Sequence, residues 1–265
     1  MPSDSETDNE ERTIIRHEPT LAFHKIMPGF SYGSTNFSPR RLDRLLHFLI
    51  HNGFRFDDNN GGEAGSTFVR LTFDDGYSHL SEFLPPLIDK YGLRPIVFVP
   101  TAYIGKSNKW DYSFIFRDTP HLDTNAIREL AQMGVTFGSH GHSHRPLTSL
   151  TDAKLKEELS SSKAVLEDAL QVAVESISYP FGRFNRRVID TACESGYNSG
   201  YTMNFPTEND SQMAEGRFAV YFYDTPFTVR QKLGCGGLYR LEQVKANISN
   251  RLSYGTGLYR FLSRQ

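Results

Sequence analysis

Short apolar segments alternate with helical patterns along almost the whole chain. The predicted strands are residues 21–26, 67–73, 95–99, 135–138, 176–179 and 197–201. One predicted helix is opened by Ser38 and Pro39 and ended by Gly53, and others cover residues 78–91, 124–133, 151–170 and 186–195. Strands that alternate with helices pair in parallel, because each helix returns the chain to the start of the next strand. The pattern therefore predicts an α/β fold whose parallel sheet is either open or closed into a barrel.

Length and composition narrow the class of protein. The 265 residues are 38% hydrophobic, which is ordinary for a globular chain, and no apolar run approaches the ~18 residues that span a bilayer. Residues 1–12 hold five carboxylates and one arginine and are predicted to form a disordered acidic tail, followed by a single domain over residues 13–265. That domain has 28 basic and 26 acidic residues, a balance that argues against a nucleic-acid binder. Two cysteines, Cys193 and Cys235, are too few for a disulfide framework.

Two adjacent aspartates, Asp74 and Asp75, end the second predicted strand in the segment TFDDG of residues 72–76. Sites of parallel α/β sheets lie on the loops at the carboxyl ends of strands, so chemistry is expected at this position. Neighbouring side chains on an extended backbone point apart, so one carboxylate can face a metal ion while the other faces a substrate. Asp-Gly is equally ordinary turn chemistry, and this segment alone leaves both interpretations open.

Three histidines, His140, His142 and His144, follow the fourth predicted strand in the segment SHGHSHRP of residues 139–146. Imidazole is a common zinc ligand, and catalytic zinc typically has three protein ligands and one open position. Gly141 and Pro146 predict a loop rather than a helix, and we expect His142 to point away from any metal. A solvated polar loop is the alternative interpretation.

A third segment, SYPFGRFN of residues 178–185, follows the fifth predicted strand and could present a backbone N–H as an oxyanion donor. Taken together, the three segments predict one site. Asp75, His140 and His144 would form a set suited to one divalent metal ion, with Asp74 beside them as a general base. Such a site is suited to metal-assisted hydrolysis of an acyl bond.

These segments resemble the motifs of the polysaccharide deacetylase family, the NodB-homology group of carbohydrate esterases (family four). TFDDG is similar to the first family motif, S-H-x-x-S-H to the second and Y-P-F-G to the third, in the same order and at similar spacing. The resemblance implies a distorted (β/α) barrel of about seven strands. It also implies a metal-dependent hydrolase that removes N-acetyl groups from an amino-sugar glycan or glycan precursor.

The resemblance also implies a role for each matching residue. Asp74 corresponds to the general base that takes a proton from the metal-bound water. Asp75, His140 and His144 correspond to the ligands of a divalent metal ion, with zinc expected first. The backbone N–H of Phe181 corresponds to the oxyanion donor.

Two departures from the family pattern concern the second and third motifs. Gly141 stands where the family usually has Ser or Thr, which is expected to loosen the loop. Ser178 stands where the third motif often has an arginine that orients the base. Arg183 or Arg217 is a hypothetical replacement.

A third departure concerns the catalytic acid, which in the family is a histidine near the end of the domain. No histidine follows His144 in this chain. His24 resembles the early histidine of the permuted poly-N-acetylglucosamine deacetylases, and we predict that it is the general acid. A histidine satisfied at a strand end is the alternative.

Other functions stay open at this stage. The chain could hydrolyse a non-sugar linear or cyclic amide, although relatives with that activity tend to lose the metal ligands that this chain keeps. It could also be a catalytically silent glycan-binding module on the same fold. Trp110 is either a surface for stacking on a sugar or a packing residue. Because no apolar signal segment is visible, a cytoplasmic location is expected, while the oligomeric state is left open.

Overall fold

The computed structural model describes residues 18–27, 35–56, 66–107, 119–207, 210–234 and 244–245. These residues form strands and helices in the alternation that the sequence predicts. The strands are β1 Thr20–Phe23, β2 Lys25–Ile26, β3 Asn36–Phe37, β4 Phe54–Arg55, β5 Thr67–Phe68, β6 Arg70–Phe73, β7 Ile96–Val99, β8 Thr136–Ser139, β9 Ser176–Ser178, β10 Ser199–Tyr201 and β11 Phe218–Ala219. The helices are α1 Pro39–His51, α2 Leu80–Tyr91, α3 Thr124–Gln132, α4 Asp152–Leu170, α5 Arg186–Glu194 and α6 Pro226–Lys232.

Seven parallel strands form the central sheet, in the order β10-β9-β8-β7-β6-β1-β11. Every residue of β1 and β7 is buried, as expected for parallel strands with both faces covered. Phe23 pairs with Phe73, so β1 and β6 end at the same level of the sheet. The residues that follow these two strands, His24 and Asp74, therefore emerge side by side.

The sheet curls until its two edges meet. The amide of Glu215, three residues before β11, donates to the carbonyl of Gly200 in β10 at 2.8 Å, and the amide of Thr202 donates to Glu215 at 2.8 Å. Tyr201 and Glu215 form a parallel bridge. This irregular closure makes the sheet a distorted barrel rather than an open sheet.

Two predicted strands are each divided in the structure, which corrects the sequence-based boundaries. The predicted strand 21–26 breaks at His24, because Lys25 leaves the central sheet and pairs with Asn36 of β3. The predicted strand 67–73 likewise breaks after Phe68, because β5 pairs with β4 in a separate two-stranded sheet. The break at His24 matters for the site, because it turns this histidine out of the sheet.

The helices agree with their sequence signals to within about two residues at each end. Ser38 caps α1 by accepting a hydrogen bond from the amide of Arg41, and Pro39 is its first residue. Helix α2 begins two residues later than predicted, because the amide of Ser78 donates to the carbonyl of Pro120. Strand β11 and helix α6 were not predicted. Among the described helices, none has the length and apolar character needed to cross a membrane.

Several sequence-based predictions fall outside the described residues. These are the acidic tail of residues 1–12, most of the predicted loop at 57–66, Trp110 and Cys235. The division into a tail and a single domain stays a prediction.

Candidate functional site

The site lies at the carboxyl edge of the sheet, where successive loops bring the predicted residues together. Asp74 follows β6, and its amide donates to the carbonyl of Phe23 at the end of β1. His140 follows β8, and its amide donates to the carbonyl of Val99 at the end of β7. Hydrogen bonds that continue the ladder beyond each strand thus hold the start of the loops in register.

Asp75, His140 and His144 form one cluster in which a potential ligand atom of each lies within 4.8 Å of the others. The Nε2 atoms of His140 and His144 lie 3.7 and 3.3 Å from Asp75 Oδ1. The backbone is left-handed at Asp75 (φ 69°), His144 (φ 53°) and Phe181 (φ 59°). Only one other non-glycine residue in the described ranges, Gln171, has a positive φ. Backbone strain is therefore concentrated at this site, as is typical of functional loops.

The tautomer of His140 is determined by its surroundings. Its Nδ1 lies 2.8 Å from the carbonyl oxygen of Ser178, which can only accept, so Nδ1 carries the proton. Burial lowers the pKa of His140 to about 4, although the Asp74 carboxylate acts in the opposite direction. The ring is therefore neutral near pH 7, and the lone pair on Nε2 faces Asp75.

Asp75 completes a set of donor atoms that fits a cation. Burial would raise the pKa of Asp75, but the imidazoles of His144 and His140 hold it well below its ordinary value. Its Oδ1 is buried and has no hydrogen-bond partner among the described residues. The buried Asp75 carboxylate and the Nε2 lone pair of His140 that faces it, with Nε2 of His144 3.3 Å from the same oxygen, form a set of donor atoms that suits a divalent ion. The carbonyl behind His140 is the kind of outer partner that orients a ligating histidine.

His142 lies apart from this cluster. Its Nδ1 is hydrogen-bonded to the hydroxyl of Thr101 at 2.9 Å, and the side chain is half-buried. The amide of Ala102 donates to its carbonyl at 2.8 Å. The central histidine of the loop thus connects to the segment after β7 rather than to the Asp75, His140 and His144 cluster.

Asp74 is paired with Arg217. The Nη1 and Nη2 atoms of Arg217 donate to the two carboxylate oxygens of Asp74 at 2.8 Å each, and both side chains are buried. The hydroxyl of Ser178 donates to Asp74 at 3.2 Å and accepts from Arg217 at 2.8 Å. Burial would raise the pKa of Asp74, but the guanidinium holds it at about 2. Of the two arginines considered from the sequence, Arg217 rather than Arg183 occupies this position.

His24 and Phe181 flank the same cluster. His24 Nε2 lies 3.9 Å from Asp74 Oδ2, and 22% of its side chain is exposed, so it is reachable from solvent. Phe181 is in the turn after β9, and its ring centroid lies 4.8 Å from that of His144. The structure thus brings all six predicted site residues together, while their catalytic roles stay predictions.

Comparisons with known proteins decide the family. Residues 61–200, more than half of the chain, match the sequence model described as Polysaccharide deacetylase. The chain belongs to the polysaccharide deacetylase family. YxkH of Bacillus subtilis (strain 168), which carries the name of the same family, is 32% identical over 195 residues, which are 69% of this chain and 63% of that protein.

Two further relatives extend the comparison. The poly-beta-1,6-N-acetyl-D-glucosamine N-deacetylase of Staphylococcus aureus (strain MRSA252) is 22% identical over 162 residues, which are 56% of this chain and 53% of that protein. This chain thus spans less than two thirds of either curated relative. The Streptococcus pyogenes deacetylase PplD, solved in complex with acetate, superposes with a TM-score of 0.69 and 21% identity over 82% of this chain and 97% of that one. The superposition confirms the predicted distorted (β/α) barrel.

The sequence alone did not reveal that Ser178 contributes a hydroxyl to this candidate site. Ser178 was considered only as the position of an absent arginine, yet its hydroxyl lies between Asp74 and Arg217. Arg217 directly precedes β11, a strand that was not predicted although it begins a short apolar run, FAV of residues 218–220. Recognising that run as a strand would have placed Arg217 beside the sheet.

Proposed function

We propose that this polysaccharide deacetylase removes N-acetyl groups from an amino-sugar glycan or glycan precursor in a hydrolysis that depends on a divalent metal ion, with zinc as the first candidate. The observation that carries the proposal is the position of the buried Asp74–Arg217 pair directly beside the Asp75, His140 and His144 cluster. A proton acceptor and a metal site thus adjoin one another, as hydrolysis of an amide requires.

Asp75, His140 and His144 would hold the metal ion through one oxygen and two Nε2 atoms. When bound, such an ion supplies Lewis-acid polarisation of the acyl oxygen and lowers the pKa of water. His140 is arranged for binding before any ion is present, because its ring is neutral and the carbonyl of Ser178 holds its orientation.

Asp74 is the proposed general base. With a pKa of about 2 it is a carboxylate throughout the neutral pH range, and the bidentate contact with Arg217 holds it in one orientation. His24 is the proposed general acid, which gives a proton to the departing amine. The backbone N–H of Phe181 is the proposed donor to the developing oxyanion.

The proposed substrate rests on the relatives as well as on the site. The S. aureus relative is named as a deacetylase of poly-beta-1,6-N-acetyl-D-glucosamine, which supports an N-acetylated amino sugar as the class of substrate. Trp110, considered from the sequence as a sugar-stacking residue, lies outside the described residues. A cytoplasmic location stays a prediction.

The buried carboxylate also speaks against a silent glycan-binding module. Removing Asp74 and Arg217 from water costs free energy that is recovered only in part by their attraction. A module that merely binds a glycan gains nothing from keeping such a pair next to a metal site. Hydrolysis of a different amide remains the second enzyme hypothesis, because the roles proposed for these residues concern the acyl group and the departing amine, and not the sugar ring.

Metal analysis paired with acetate release tests the proposal. The purified protein is assayed for bound zinc and for acetate release from N-acetylglucosamine oligomers, with and without a chelator. About one equivalent of zinc and chelator-sensitive release are expected. Bound zinc without acetate release would overturn the proposed substrate in favour of another amide or of a binding module. A protein that binds no metal after reconstitution would overturn the metal site.

A further inference from the structure

Glu158, on α4, is hydrogen-bonded to the loop of residues 139–146 that carries the three histidines, called here the histidine loop. Its side chain is buried, and its two carboxylate oxygens accept from the amide and the hydroxyl of Ser143, at 2.5 and 2.8 Å. Ser143 directly precedes His144, the ligand whose backbone is left-handed. One carboxylate therefore binds both donors of the residue that positions this ligand.

Gly141 shows how closely Glu158 approaches the same loop. A Cβ atom at Gly141 would lie 3.1 Å from Glu158 Oε1, and the backbone there is left-handed (φ 74°). A side chain at this position would thus press on the carboxylate that holds Ser143. The absence of a side chain at Gly141 lets α4 come close enough to bind the loop.

Ser162 connects a second point of the loop to the same face of α4, because it lies one helical turn beyond Glu158. Its hydroxyl donates to the carbonyl of Gly141 at 3.0 Å and is hydrogen-bonded to the hydroxyl of Ser139 at 2.7 Å. The helix thus braces the loop on both sides of His142, next to each of the two metal ligands.

We propose that Glu158 is a positioning residue of the metal site, acting on His144 through Ser143. Charge-assisted hydrogen bonds are about twice as strong as neutral ones, and here they stabilise the residue next to a strained backbone conformation. Without them the loop relaxes, and the His144 imidazole spends less time facing Asp75. The inference rests on the proposed metal site and deepens it.

The zinc affinity of the metal-free protein tests this inference without reference to catalysis. Zinc dissociation constants are measured by competition with a chromophoric chelator for the wild type, Glu158→Gln and Glu157→Gln. Glu157 is the adjacent residue of α4 and is exposed, so it is a matched control. Glu158→Gln removes the negative charge and leaves one acceptor oxygen for the two donors of Ser143, and it is expected to weaken zinc binding by about tenfold or more. Glu157→Gln is expected to bind zinc like the wild type.

A smaller change keeps the test decisive if Glu158→Gln folds poorly. Ser143→Ala removes only the hydroxyl bond and is expected to weaken zinc binding by about threefold, with little change in the melting temperature of the metal-free protein. Variants that melt lower without metal but bind zinc as the wild type does would overturn the inference and make Glu158 a purely structural residue. If the wild type itself binds no zinc, the proposed metal site fails and the inference fails with it.

Discussion

Arg217 and Asp74 are 143 residues apart in the chain, yet the two Nη atoms of one bond both carboxylate oxygens of the other at 2.8 Å. Arg217 Nη1 also donates to the hydroxyl of Thr72, two residues before Asp74 on β6. The guanidinium thus reaches from the segment before β11 to the end of β6. This contact joins the closure of the barrel to the orientation of the proposed base.

Asp74→Asn is expected to lower kcat by about 10²–10⁴-fold while zinc content stays near that of the wild type. The amide has almost the same shape as the carboxylate but cannot take a proton, and Asp74 is not among the ligand cluster. Acetate release and metal content are measured on the same sample. Near-full activity in this variant would remove Asp74 from the proposed role.

Arg217→Gln is expected to destabilise the protein by about 3–5 kcal/mol, because it leaves the Asp74 carboxylate buried without its countercharge. Urea unfolding measures this loss. Combining Arg217→Gln with Asp74→Asn is expected to recover part of it, since the uncompensated charge is then absent. Equal destabilisation of the single and double variants would argue against the ion pair as the cause.

The acidic limb of the pH profile of kcat/KM is a second measure of the Arg217–Asp74 pair. Arg217 holds the pKa of Asp74 at about 2, so its removal raises this pKa and moves the acidic limb to higher pH. Arg217→Lys keeps a positive charge and is expected to shift the limb less than Arg217→Gln does.

His140→Ala is expected to bind zinc much more weakly than the wild type and therefore to lose activity, because a proposed ligand is removed from the cluster. The loss of affinity should exceed the roughly 10–100-fold that removal of an outer partner costs. His142→Ala is the matched control, because His142 lies in the same loop but bonds Thr101. An equal increase of the zinc dissociation constant in both variants would contradict the assignment of the ligands.

His24→Gln is expected to slow the hydrolysis of an N-acetyl amide by about 10²-fold or more, because the amine needs a proton to depart. An activated ester such as p-nitrophenyl acetate releases a leaving group that needs none, so its hydrolysis should change little. The ratio of the two rates is the measurement. A similar loss on both substrates would mean that His24 does not act as the acid.

The metal-free protein is expected to lose stability as the pH falls from about 6.5 to about 4. Over this range the unfolded chain binds a proton on His140 that the folded protein excludes, so protonation favours unfolding. Asp74, with a folded pKa of about 2, adds its own loss only below about pH 4. Urea midpoints measured between about pH 7 and pH 5 test this, and His140→Asn should show a flatter dependence.

The candidate ligand cluster could be predicted from the sequence because its residues lie in the loops that follow two strand ends. Asp75 comes two residues after β6, and His140 directly follows β8. In a parallel sheet the carboxyl ends of strands meet at one edge, so residues at these positions converge whatever the sheet's curvature. The family motifs agree with this choice of His140 and His144, rather than His142, as the candidate ligands.

The arginine that pairs with Asp74, the proposed base, could not be chosen from the sequence in the same way. Arg183 is close to the third motif in sequence, whereas Arg217 precedes a strand that the periodicity did not predict. Arg217 reaches Asp74 because β11 pairs with β1 on one side and the segment before it pairs with β10 on the other. That closure is a contact between distant parts of the chain, and no local pattern records it.

The sequence alone thus determined the α/β class, the loops that carry the candidate site and the residues able to bind a metal, since these depend on short-range periodicity and on motif chemistry. Only the tertiary structure decided that Arg217 pairs with Asp74, that His24 turns out of the sheet, and that Glu158 braces the histidine loop. The physical reason is that burial and long-range pairing, rather than sequence neighbours, select which polar groups meet in a core where each must find a partner.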